Sequence, residues 1–253
     1  MSPAYGALVN VGGSIIVYSN AALNPYSHLT NGGSVRFAAA NLTVAQGGSF
    51  SADSIGFGQG PTAASRGYGP GGGFVGTVSA GGGGYGGTGG TGQKTGDNGG
   101  GTYGSSNAPP IHAGSGGGSG NNGGAGCGSR GGGVVWCDVT GTIALYGTIS
   151  ATSVVANGYG GGGAGGGIYL TCRTLTGAAP GALNVTGGKG GSESGGGGGG
   201  RIMIWRRNDT STGLTISTNG GAQGASAGAT PSTPGTAFFG WIIPPKGTIM
   251  VIR

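Results

Sequence analysis

The side chains able to do acid–base or metal chemistry in this 253-residue chain are few and far apart. The acids are Asp53, Asp97, Asp138, Glu193 and Asp209; the histidines are His28 and His112. Cleaving a glycan by general acid–base chemistry needs paired carboxylates flanking one bond. Asp138 and Asp209 fall at different points of the sequence pattern and form no evident pair, so the chain is expected not to be an enzyme. Cys127, Cys137 and Cys172 have neither zinc-ligand spacing nor a nearby histidine. No metal or cofactor is therefore expected. The glycine run GGKGGSES at Gly187 lacks the Lys-Ser/Thr pair and the strand–loop–helix setting of a phosphate loop. GYGPGG at Gly67 fails the dinucleotide spacing.

Binding chemistry is better represented than catalytic chemistry. Arg201, Arg206 and Arg207 surround Trp205, and basic residues interleaved with aromatics suit sulfated glycans or nucleic acid. A solvated strand edge is the simpler reading of so short a patch. Tyr68, Tyr85, Tyr103 and Tyr159 sit among glycines, either presented for contact or pinning the glycine tracts in place, with pins favoured. The candidates for surface binding are Tyr68, Tyr85, Tyr103, Trp205, Arg206 and Arg207. Phe238, Phe239, Trp241, Ile242 and Ile243 form the most hydrophobic cluster. They read as a cap over the last strands, as an assembly contact, or both. Asn41, Asn184 and Asn208 begin weak glycosylation sequons.

The elements that must position these residues are unusual. Glycine supplies 72 residues, and only 6% of the chain is charged, with a net charge of +6. Disordered chains have high net charge and few aromatics, whereas three tryptophans and six phenylalanines here accompany isoleucine-rich bursts. The chain should fold around a thin apolar column. Collagen is excluded by the broken Gly-X-Y period. The odd cysteine count leaves at least one thiol free, and buried thiols are favoured over a Cys137–Cys172 disulfide. The opening MSPAYGALVNVGG lacks the features of a secretory leader, and no apolar run is long enough to span a membrane.

Three segments repeat a glycine run followed by a β-like burst: GGGVVWC at Gly131, GGGIYLTC at Gly165 and GGGRIMIW at Gly198. Their leading apolar residues, Val134, Ile168 and Ile202, recur every 34 positions. Earlier, GGSIIVYS, GGSVRFAA and GGSFSADS place strands after double glycines, and LTVA at Leu42 adds another. Period-two alternation in these pieces predicts strands with one buried face. Repeated short strands at fixed spacing read as a solenoid. The expected fold is all-β: a right-handed parallel β-helix with long glycine-rich, polyproline II-like insertions. Its expected parts are solenoid rungs over 1–65, a glycine-rich insertion on the flank over 66–133, repeats over 134–224, and a cap or assembly segment over 225–253, ending in the strand TIMVIR.

GGGAGGGIYLTCRTLTGAAPGALNVTGGKGG and GGGGGGRIMIW resemble glycine-rich right-handed parallel β-helix repeats of bacterial and phage surface proteins, over about residues 40–224. The glycine tracts of 66–133 are also similar, more loosely, to phage tail-fibre tip adhesins built of polyglycine helices. The missing catalytic residues, the solenoid periodicity, the packed glycine tracts and the apolar C-terminal cluster, taken with these resemblances, lead to the expectation of a non-enzymatic structural or adhesive protein of a virion, fibre or surface assembly. A bacterial extracellular filament or matrix subunit is the alternative, with a polysaccharide-active solenoid behind it. They imply a location on the virion or cell surface. The partners implied are copies of itself or assembly proteins and a cell-surface glycan, with no specific nucleic acid.

Overall fold

Alternating apolar and small residues, broken every few positions by glycine, produce fourteen short strands and no α-helix among the described residues. The computed structural model describes residues 6–121, 127–225 and 230–243. The strands are β1 (Leu8–Asn10), β2 (Ser14–Val17), β3 (Ala22–Leu23), β4 (Arg36–Ala39), β5 (Asn41–Val44), β6 (Ser49–Ser51) and β7 (Val134–Val139). They continue with β8 (Thr142–Leu145), β9 (Thr148–Ser150), β10 (Gly167–Gly177), β11 (Ala182–Asn184), β12 (Arg201–Asp209), β13 (Thr215–Ser217) and β14 (Thr236–Trp241). The expected strand TIMVIR lies outside the described residues.

All pairings between these strands are parallel. A nine-stranded sheet has two halves. One runs β1-β4-β7-β10-β12-β14, and the other runs β2-β5-β8 and rejoins the long strand β10. A five-stranded sheet runs β3-β6-β9-β11-β13. The core lies inside their curl: Leu42, Phe50, Val135, Ile143, Ile149, Ile168, Leu175, Leu183 and Ile204 belong to one cluster. Phe37 packs edge-on against Phe50, with ring centres 5.3 Å apart.

The all-β expectation stands, but the β-helix with glycine-rich insertions is corrected. The strands build two parallel sheets curled around one core as a partial barrel, and among the described residues no third sheet closes it. The remaining side is a layer of glycine tracts, and this layer is part of the packed structure rather than an insertion into it. Along 161–166 the backbone N–H groups bond in turn to Gly118, Gly195, the Ser129 hydroxyl, Ser115, Gly198 and Ala151. Donors three apart, Gly162 and Gly165, reach the same neighbouring tract at Gly195 and Gly198, both at 2.9 Å. That is the three-residue period of a polyproline II helix. A Cβ on Gly165 would land on the Val185 carbonyl oxygen, and one on Gly197 on that of Gly163. Only glycine lets these backbones approach so closely.

The register corrects a second expectation. Ile168 stands level with Val135 and Ile202, not with Val134. Val134 instead faces outward in a separate cluster with Phe57, Ala113 and Trp136. Cys137 is level with Leu170, two residues before Cys172, so both cysteines face the core. All three thiols are buried and unbonded to one another.

Candidate functional site

The outward face of the nine-stranded sheet carries the charged residues that β7, β10 and β12 turn away from the core. Where the two halves of the sheet meet, it is indented. A cavity of about 400 Å³ is lined by Val139, Thr140, Thr171, Cys172, Arg173, Arg207 and Ile242. A neighbouring cavity of about 320 Å³ is lined by Asn10, Val11, Gly12, Ala38, Ala39, Ala40, Asp138 and Thr140. Thr140 lines both, and the two adjoining cavities, together called the trough, touch residues of β1, β4, β7, β10 and β12 beside β14. Strands spaced about 4.8 Å apart set its length. Small residues at Gly12, Ala38 and Ala40 leave its floor open.

The trough's walls are held by contacts between strands. Arg36 pairs with Asp138, Nε to Oδ2 at 2.5 Å, and Thr171 donates to the other carboxylate oxygen at 2.9 Å. Arg36 lies over the Trp136 ring, 5.0 Å from its centre, and Trp136 packs on Tyr169 at 5.9 Å. Desolvation, and then the Asp138 charge, raise the Tyr169 hydroxyl above its ordinary pKa. Arg173 and Arg207 are exposed at the trough.

A second polar cluster lies under the segment 101–113, which crosses the same face near the start of β10 and β12. Arg201 is 7% exposed; it donates to the Thr236 hydroxyl at 3.1 Å and to the Tyr103 carbonyl at 3.2 Å. Its guanidinium sits 5.6 Å from the centre of the Tyr85 ring, and Tyr85 packs on Tyr103 at 4.8 Å. Its Nε has no partner, and no carboxylate pairs with it among the described residues. Burial pushes the Tyr85 and Tyr103 hydroxyls upward, and burial followed by the Arg201 charge pushes His112 downward. Asp97 is also buried, accepting from the Ser79 hydroxyl and the Lys94 backbone.

The exclusion of catalysis is corrected by these observations. It rested on acids scattered along the sequence, and scatter in sequence says nothing about distance across parallel strands. Strand order sets Asp138 against Arg36 and Thr171, and the fold buries the charged or polar groups of Asp97, Arg201 and Arg206. The reading as a purely structural or adhesive virion, fibre or filament component is corrected with it. The chain is a curled two-sheet domain with charged cavities, and an inert fibre subunit requires neither those cavities nor the buried charges. Among the described residues no group of three or more His, Cys, Asp or Glu is placed to hold a metal ion. No helix among them is long and apolar enough to cross a membrane.

The residues singled out from the sequence separate in space. Trp205 and Arg207 face outward, with Trp205 packed on Phe238 at 5.4 Å and laid over Gly240. Arg206 points to the other face, where it pairs with Asp209 at 2.7 Å, donates to the Gly240 carbonyl, and stacks between Phe239 and Trp241. Desolvation alone would raise Asp209, but hydrogen bonds from Ser211 and Arg206 hold its carboxyl below the ordinary value. Tyr85 is fully buried, and Tyr68 packs beside the Phe57 cluster. Trp241 and Ile243 are exposed, Phe239 reaches the core, and Ile242 closes one end of the trough.

Arg36, Thr171 and Arg173 had no place among the sequence candidates, and Asp138 was set aside there for want of a paired acid. One signal was present: Arg207 follows Arg173 by the same 34 residues that separate Ile202 from Ile168, so the repeat itself sets them side by side. Compared with family models, with curated proteins and with solved structures, the chain matches none of them.

Proposed function

We propose that this domain binds an extended glycan chain along the trough of its nine-stranded sheet. The observation that carries the reading is the adjacency of the two cavities, which share Thr140 and touch successive strands. A long, shallow, open trough suits a polymer rather than a small enclosed molecule. Its polar lining, Asn10, Thr140, Thr171 and two arginines against one acid, supplies hydroxyl-matching donors and acceptors. Charge this sparse favours a glycan over nucleic acid, whose binding depends on neutralising many phosphates. The aromatic bank of Trp205 and Phe238 offers apolar faces beside the trough.

A second reading, chemistry on the bound chain, is favoured by Asp138. It is the one carboxylate lining the trough among the described residues, and both its oxygens are held in place.

Calorimetric titration with neutral oligosaccharides, acidic oligosaccharides and single-stranded DNA of matched charge tests the proposal. Binding of a glycan that weakens at least tenfold in Thr171→Ala or Trp205→Ala supports it. Binding of DNA alone, or of no polymer, overturns it. Product release from a bound glycan, abolished in Asp138→Asn while binding persists, would establish the second reading.

A further inference from the structure

Arg173 and Arg207 form a like-charged pair that the fold places directly opposite each other. Cys172 is level with Arg206 and Thr174 with Asn208 on the neighbouring parallel strand, so Arg173 faces Arg207. Both line the larger cavity of the trough with Thr140 and Thr171. Neither has an acidic partner: the two ion pairs among the described residues are Arg36–Asp138 and Arg206–Asp209. Like charges directly opposite on adjacent strands are destabilising. The chain has only 11 basic residues, and it sets two of them against each other at an open cavity. Arginine's planar fork matches oxyanions, and two forks converging on one cavity give such a group several charge-assisted hydrogen bonds.

We propose that Arg173 and Arg207 form an oxyanion subsite for a sulfate, phosphate or carboxylate group. This rests on the glycan reading only for its ligand, which it narrows to an acidic glycan with a charged substituent seated between the two arginines. The bound anion removes the repulsion, so the subsite couples ligand binding to stability.

The test is thermal unfolding of the full chain in sodium sulfate and in sodium chloride at equal ionic strength, with calorimetric titration of sulfate alongside. Sulfate should raise the wild-type melting temperature by about 5 °C or more at saturation, and titrate with one site per chain. Arg173→Gln and Arg207→Gln should each lose that increment, and in dilute chloride should melt no lower than wild type. Arg207→Lys keeps the charge without the fork and should retain only part of the increment. No sulfate-specific increment in wild type, or an increment kept in both glutamine variants, overturns the subsite. The two proposals fail separately: sulfate binding without any glycan binding refutes the glycan, and binding of neutral oligosaccharides without a sulfate effect refutes the subsite.

Discussion

Arg36 donates through Nε to Asp138 at 2.5 Å although the two are 102 positions apart in the sequence. β4 and β7 are neighbours in the sheet, and Ala38 is level with Asp138, so Arg36 reaches it diagonally. Thr171 completes the contact from the next strand. The pair is open to solvent, with side chains 44% and 23% exposed, and such pairs contribute about 0–1 kcal/mol. Asp138→Asn should therefore cost less than about 1 kcal/mol in urea unfolding. A much larger loss would make Asp138 a fold-holding residue rather than a ligand-facing one.

The glycine layer predicts a steep contrast between glycines. Gly165→Ala and Gly197→Ala place a methyl group on a neighbouring carbonyl oxygen, backbone against backbone. Each should cost about 3 kcal/mol or fail to fold, as overpacking does at its severe end. Gly13→Ala meets nothing within 4 Å and should stay within about 0.5 kcal/mol of wild type. Chemical unfolding of the three variants decides it; equal effects would mean that the tracts are loosely packed.

The Cys137 and Cys172 thiols are both pushed up to about 12, chiefly by burial. Native protein should resist alkylation at these two positions at pH 8 and be modified once unfolded. The folded state holds these protons more tightly than the unfolded state, whose thiols titrate near 9. Stability from these groups is complete below pH 9 and falls as pH climbs towards about 12. Rapid labelling of either thiol in the folded protein at pH 8 would contradict this.

Arg206 pins the last described strand. Its side chain is 9% exposed and pairs with Asp209, while its guanidinium stacks on Trp241 at 4.3 Å. Arg206→Gln strands a partly buried carboxylate and should cost about 3 kcal/mol. Because Asp209 is held below its ordinary pKa, the stability it supplies is present above about pH 4 and lost as pH falls through its folded value. The variant should show a shallower acid dependence in that window. An unchanged acid limb would mean that Ser211, not Arg206, holds the carboxyl down.

Strand positions were readable where period-two alternation exposed one face, as in Arg36–Ala39 and Asn41–Val44. The register was readable to within one residue, and that one residue decided which way Val134 points and whether the two cysteines share a face. The pairing of Arg36 with Asp138 was hidden because it depends on which strands become neighbours, and β5, β6 and a long glycine-rich stretch separate β4 from β7. The split of Trp205 and Arg207 from Arg206 follows from strand alternation and could have been drawn from the pattern IMIWRR. The glycine tracts were the hardest to read: absence of a Cβ serves a flexible linker and a close-packed backbone equally well, and only neighbours distinguish them.

The three-residue rotation of donors along 161–166 also separates two spectroscopic views of the molecule. These glycines lie in neither helix nor sheet, so circular dichroism will count them as coil. Their amides are nonetheless donated to specific acceptors, five to carbonyls and that of Gly163 to the Ser129 hydroxyl, inside a buried layer. Hydrogen–deuterium exchange will place them with the slowest amides of the sheets, since exchange reports opening and not secondary structure.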